Sequence, residues 1–379
     1  MAAFNTAQAP AAGAPRRQQR GMAMRASAAR LAMLLLVLLG GCGDRPPGPA
    51  RQEQPAAAGA SRLQVVTTIL PVTLFTNAVA GECAEVTPLI PPASSPHAFQ
   101  ARPADLLALR RARVLVINGL GMEGFLERLV RAAENPKLQV IDTSRGITPL
   151  ALPASPHGDQ DHGGQNHGEE NHGEENRGEA KTAAPRGGEQ AAEPTASSPT
   201  VNPHSWLDPL RAVKQVETIR DGLIRADPGC ASGYRRRAAI AIVQLRQLDR
   251  AISAQLAPYR GRSFVAFHDV APYFAQRYGL RADYLVNVPE INPSPRDLRR
   301  VAALVRRSQL RALLSEPQQG DRSFNALASD LGVRLSLFDP LETADPGAPL
   351  DLSLYVKVMR RNASDLSTAF GEAGAAAGR

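Results

Sequence analysis

Several things are scarce in this chain of 379 residues, and each scarcity excludes something. Three cysteines are too few for a disulfide-dense scaffold. Aromatic side chains make up 4% with a single Trp, which leaves little for stacking nucleic-acid bases despite a formal charge of +8. No apolar run approaches the roughly 20 residues that cross a bilayer. The run 31–39 is bounded by Arg30 and by Gly40 and Gly41. What is present is ordinary globular composition, 43% hydrophobic and 21% charged, with enough apolar side chains for a sizeable core. The length suits two or three domains, or two domains with tails.

The positive charge is unevenly placed. Arg16, Arg17, Arg20, Arg25 and Arg30 precede the short apolar run, and residues 1–41 hold no acidic side chain. A basic stretch, a short apolar core and small residues before a cut describe a secretory signal. Leu39-Gly40-Gly41-Cys42 resembles a bacterial lipobox, which implies that 1–41 is removed and Cys42 is lipidated. The alternative is an ordinary secretory signal with an incidental cysteine. Loss of the leader's five arginines takes the formal charge from +8 to +3. Residues 42–60, rich in Pro, Ala and Gly, read as a flexible stalk. Cys83 and Cys230 remain, and export permits a disulfide between them or two free thiols.

From residue 61 short β-branched runs alternate with helical stretches. Strands are expected over 63–69, 86–90, 114–117 and 138–141, with helices over 102–111 and 122–133. This alternation implies an α/β fold with parallel sheet. Residues 143–200 are rich in Gly, Glu, Asn, Pro and His and poor in large apolar side chains, so they read as a disordered insertion. A helix is expected over 210–226. A longer one over 231–256 is bounded by Asp227-Pro228 and Pro258. At about 1.5 Å per residue the longer helix extends roughly 39 Å, the length of a rod between two lobes. The alternation then resumes, with strands over 263–267, 284–288, 311–314 and 334–338. Helices fall near 272–278, 296–307, 324–331 and 352–370. The expected architecture is an amino-terminal α/β lobe (61–227), a linking helix (228–257) and a carboxy-terminal α/β lobe (258–379).

Seven histidines complete the inventory. His157, His162, His167 and His172 recur every five residues inside the insertion, in a stretch that carries a net negative charge. Imidazoles and carboxylates on a flexible chain make a weak, exchangeable site for divalent transition metals; a solvated acidic linker is the plainer alternative. The other three are His97 in SPHAF, His204 in NPHSW and His268 in FHD. His268 follows a strand, as do Glu316 and Asp339, and ligands in open α/β sheets bind beyond the carboxyl ends of strands. The spacing between these histidines is no local metal motif, and each taken alone reads more readily as a satisfied polar residue than as a ligand.

Taken together, the stretches VVTTILP (65–71), PPASSPHAF (91–99), RPADLLALRRARVLVINGLGMEGF (102–125), NPHSWLDP (202–209), FVAFHDVAPYFAQRYGL (264–280), SPRDL (294–298), LLSEPQ (313–318) and LFDPL (337–341) resemble a family. It is that of the metal-binding lipoproteins of bacterial ABC importers, specifically the zinc-uptake solute-binding branch. The resemblance implies two α/β lobes joined by a single long helix, with metal in the cleft between them. It implies His97 and His204 as ligands from the first lobe and His268 from the second. Asp339, at the family's carboxylate position, or a water in its place, completes the set. Glu316 is a candidate for a role behind the ligands. A His-rich acidic insertion between the first two ligands also belongs to the zinc branch.

Three imidazoles and one oxygen suit Zn²⁺, whereas two His and two carboxylates suit Mn²⁺. The expected function is therefore capture of zinc outside the inner membrane, in the periplasm or at the cell surface, by a membrane-tethered monomer. The partners are an ABC permease and its ATPase, not nucleic acid. Manganese or iron import is the nearest alternative. A zinc-dependent hydrolase is a more distant one, with Glu316 or Asp269 as its general base; an adhesin-like role is compatible as a second activity. Because ligation needs neutral imidazole, affinity is expected to fall steeply below about pH 6.

Overall fold

The computed structural model describes residues 62–151, 201–286, 292–308, 312–317 and 322–375. The leader, the stalk, Cys42 and the four insertion histidines lie outside them.

The first lobe is a four-stranded parallel sheet. Its strands are β1 (Leu63–Thr67), β2 (Ala84–Pro88), β3 (Val114–Ile117) and β4 (Gln139–Asp142), in spatial order β2-β1-β3-β4. Successive strand residues point to opposite faces, and the two faces enter different cores. Val65, Val114, Val116 and Ile141 pack under α1 (Leu70–Ala80) and α4 (Pro209–Ala226). Val66 and Leu115 pack under α2 (Pro103–Arg111) and α3 (Leu126–Ala133). Helix α4 lies so close to β4 that a Cβ on Gly222 would fall 2.2 Å from Ile141 Cδ1.

The second lobe repeats the plan. Strands β5 (Ser263–His268), β6 (Arg281–Val286), β7 (Ala312–Ser315) and β8 (Arg334–Leu337) are all parallel, in order β6-β5-β7-β8. Helices α6 (Pro272–Tyr278), α7 (Pro295–Ser308), α8 (Arg322–Asp330) and α9 (Leu352–Ala375) accompany them. Helix α5 (Ala231–Leu256) runs between the lobes and packs on α1 and α4 of the first and on α6 and α9 of the second. Its buried Leu245, Leu248 and Ile252 join one apolar core shared by both lobes. Among the described residues no helix is long and apolar enough to cross a membrane.

Two expectations change. Helix α1 lies where no element is expected after the first strand. Nine of its eleven residues are buried, so it has no polar face and hence no 3.6-residue alternation to read. Residues 143–151 belong to the folded lobe, not to the insertion. Thr143 is buried, with its hydroxyl donating to Asn118 O, and Ile147 is buried. Ala151 forms an antiparallel bridge with Val201, so the residues that flank 152–200 are adjacent. An excursion with adjacent ends costs the fold mainly loop-closure entropy, which grows slowly with length.

Cys83 and Cys230 form a disulfide that ties the turn after α1 to the start of α5. Beside it, Arg237 on α5 donates from Nε to Val79 O at 2.8 Å and from Nη2 to Ala80 O at 2.7 Å. A guanidinium there satisfies carbonyls at the carboxyl end of α1.

Candidate metal centre

Three loops and one strand end meet between the lobes. His268 is the last residue of β5, the strand flanked by β6 and β7, so the pairing itself brings it to the carboxyl edge of the sheet. His204 precedes a 3-10 turn (Ser205–Leu207). Two residues earlier, the Asn202 side-chain oxygen accepts from both the His204 backbone N–H and its Nδ1, each at 3.0 Å, an Asx turn that also aims the ring. His97 lies in the irregular segment after β2, where its backbone N–H donates to Ser95 Oγ.

The fourth member is Glu342, which is not among the ligands expected from the sequence. Its Oε1 lies 3.0 Å from His97 Nε2, 3.1 Å from His204 Nε2 and 3.5 Å from His268 Nε2. One donor atom from each of the four residues lies within 4.8 Å of the other three, an arrangement that can hold a metal ion. The His97 side chain is 15% exposed and the other three are at most 4% exposed, so His97 forms the rim. His268 Nε2 is buried and makes no hydrogen bond. Its Nδ1 donates to Glu316 Oε1 at 2.6 Å, which leaves Nε2 as the nitrogen facing the centre.

Asp339 is not in this group. Its Oδ1 accepts from the Leu341 backbone N–H at 2.8 Å, and its backbone is held by paired hydrogen bonds with the Asn362 side chain. Leu341 then takes a left-handed conformation, φ 61°, and the reversal delivers Glu342 to the histidines. The Asp339 side chain instead lines a separate cavity of about 760 Å³ with Lys357 and Arg361. Glu316, adjacent to His268 across the β5–β7 pairing, stands behind the ligand nitrogen. A sequence signal for Glu342 existed, a second carboxylate three residues past Asp339 in the same loop, but periodicity does not choose between the two.

The charges interlock. Burial pushes the His204 imidazole down to about 4. Burial also opposes charge on His268, but Glu316 and Glu342 together outweigh it and lift that imidazole to about 10. Burial alone would raise Glu342, yet the His268 charge and the hydrogen bonds from the imidazoles hold it well below the ordinary carboxylate range. Glu316 and Glu342 thus favour the charged form of the His268 imidazole that lies between them.

Both lobes are latched around the site. Trp206 Nε1 donates to Pro340 O at 2.8 Å, Asn202 Nδ2 to Asp269 O at 2.8 Å, and Ala344 N to Pro92 O at 2.7 Å. Each bond joins a ligand-bearing segment of one lobe to a ligand-bearing segment of the other.

A protein-family model described as zinc-uptake complex component A, periplasmic, matches residues 65–369. The chain belongs to this family. It is 27% identical over 302 residues to the zinc-binding lipoprotein AdcA of Streptococcus pneumoniae strain R6, covering 79% of this chain and 54% of that protein. It therefore spans about half the length of the first curated relatives it matches. It is 28% identical over 298 residues to the high-affinity zinc uptake system protein ZnuA of Yersinia pestis, covering 78% of this chain and 87% of the relative. The crystal structure of ZnuA superposes with a TM-score of 0.63 at 24% identity, over 82% of this chain and 99% of the other, which establishes the shared two-lobe fold.

Proposed function

We propose that this protein captures zinc outside the inner membrane and surrenders it to an ABC-type importer, with His97, His204, His268 and Glu342 as the ligands. The observation that carries this reading is the convergence of three imidazole nitrogens on one carboxylate oxygen. Three nitrogens and one oxygen in a small buried cluster are a borderline donor set suited to tetrahedral Zn²⁺ more than to Mn²⁺. Family membership and the zinc-binding names of the relatives support the same cation. Burial of three of the four ligands favours enclosure of an ion over turnover of a substrate, so binding and release, without catalysis, is the activity. The importer's permease and ATPase are the partners.

Cys42 and the insertion histidines lie outside the described residues. Cys42 would carry the lipid that tethers a monomer after removal of 1–41. His157, His162, His167 and His172 would collect loosely bound zinc and raise its concentration near the centre. The test is metal content and stoichiometry of the processed protein with and without residues 157–179. One tight zinc should survive the deletion while weaker sites disappear. Loss of the tight zinc on deletion would move the principal site away from His268.

A further inference from the structure

The metal centre does not use the cations on the outward face of α5. The outward side of this helix carries Arg235, Arg236, Arg246 and Arg250, all exposed. None of the four forms an ion pair among the described residues. The single acidic side chain of α5, Asp249, is buried and paired with Arg277. Between the arginines Ile240 is 60% exposed and Val243 53% exposed, the largest exposures of any large apolar side chains in the described residues. At 100° per residue, Arg236, Ile240, Val243 and Arg250 fall on one stripe. Alongside runs a groove of about 580 Å³ between α5 and α9, with Leu352 and Val356 on its apolar side and Lys357 and Arg360 as further cations.

The start of this face lies at the strand-start edge of the first lobe's sheet. Residues 1–61 join the described body at the start of β1, and Leu63 pairs with Ala84. Next to Ala84, Cys83 is disulfide-bonded to Cys230, which immediately precedes α5. The junction with the amino-terminal segment and the first turns of α5 are therefore neighbours, whereas His268 sits at the opposite, carboxyl end of its sheet.

We infer that the α5 face is a docking surface for an anionic phospholipid bilayer, with the arginines at the headgroups and Ile240 and Val243 in the interface. Exposed cations, of which Arg236 and Arg235 also attract Glu82 and Asp221, flank exposed branched aliphatics on one helix and match a surface that is anionic outside and apolar beneath. An acidic protein partner would use the cations but has no need of the two aliphatics projecting between them.

The test is co-sedimentation of the whole chain with phosphatidylglycerol–phosphatidylcholine vesicles and with phosphatidylcholine vesicles. The wild type is compared with a variant carrying Arg235→Gln, Arg236→Gln, Arg246→Gln and Arg250→Gln, and with Ile240→Asp. The leader is present in all three, so differences report the α5 face. The four-arginine variant should bind anionic vesicles at least about ten-fold more weakly, at a few-fold per charge, with zinc binding unchanged. Ile240→Asp, at a site too exposed to affect folding, should also lose binding. The inference is overturned if both variants bind anionic vesicles like the wild type. It is overturned equally if Ile240→Asp is silent and soluble polyglutamate competes in proportion to the arginines, which would assign the face to an acidic protein.

Discussion

Glu316 holds His268 by two bonds to one oxygen: Oε1 accepts the backbone N–H of His268 at 3.1 Å and its Nδ1–H at 2.6 Å. The ring is thereby fixed in position and tautomer at the end of β5, with Nε2 facing Glu342. A carboxylate behind a ligand imidazole also raises its basicity toward a metal. Glu316→Ala should weaken zinc binding by roughly 10–100-fold while leaving the His97–His204 half in place. Competition against a fluorescent chelator measures this, and an unchanged affinity would remove Glu316 from the site's support.

Glu342 and Asp339 separate in the same assay. Glu342→Ala deletes the oxygen that all three imidazoles face and should cost roughly ten-fold or more in zinc affinity, of the order of one ligand hydrogen-bonded to a charge. Asp339→Asn preserves the acceptor for the Leu341 N–H and should change affinity less than about three-fold. The reverse ranking would return the carboxylate role to Asp339.

Zinc binding should release protons well above the range expected of free histidine. Glu316 and Glu342 outweigh burial at His268 and push its imidazole up to about 10, which favours its protonated form at neutral pH. His204 is neutral down to about pH 4. Binding near pH 7.5 should therefore expel about one proton, from His268, and log affinity should rise by about one unit per pH unit between about pH 7.5 and 9. Calorimetry in buffers of different ionisation enthalpy counts the proton directly. Zero protons released at pH 7.5 would contradict the imidazolium assignment.

The disulfide closes a loop with a sequence separation of 147 residues. Its removal by Cys83→Ser with Cys230→Ser should lower unfolding stability by as much as about 5 kcal/mol on the loop-entropy account. Because the bond lies at the strand-start end, zinc affinity of the folded variant should remain within a few-fold. Denaturant unfolding of both forms, followed by zinc titration, checks the two parts separately.

Much of the fold was legible because local chemistry marked it. Helix α5 begins and ends where Asp227-Pro228 and Pro258 place it, and Val114–Ile117 is a strand in sequence and in structure alike. Helix α1 was illegible because burial on all sides erased its period. Composition extends the insertion back to residue 143 because it does not encode the tertiary backbone bonds that hold the segment after β4, such as Asn202 N to Leu150 O and Leu150 N to Tyr273 Oη.

By itself the sequence determined the α/β alternation, the long linking helix and the three histidines at element ends, since these follow from periodicity, breakers and residue chemistry. Which carboxylate joins those histidines was decided only by the tertiary structure. Asp339 and Glu342 are equivalent as acids and share one loop, but the left-handed turn at Leu341 is a backbone event. Latched by Trp206 to Pro340 and by Pro92 to Ala344, that turn directs Glu342 to the centre and leaves Asp339 to cap the loop.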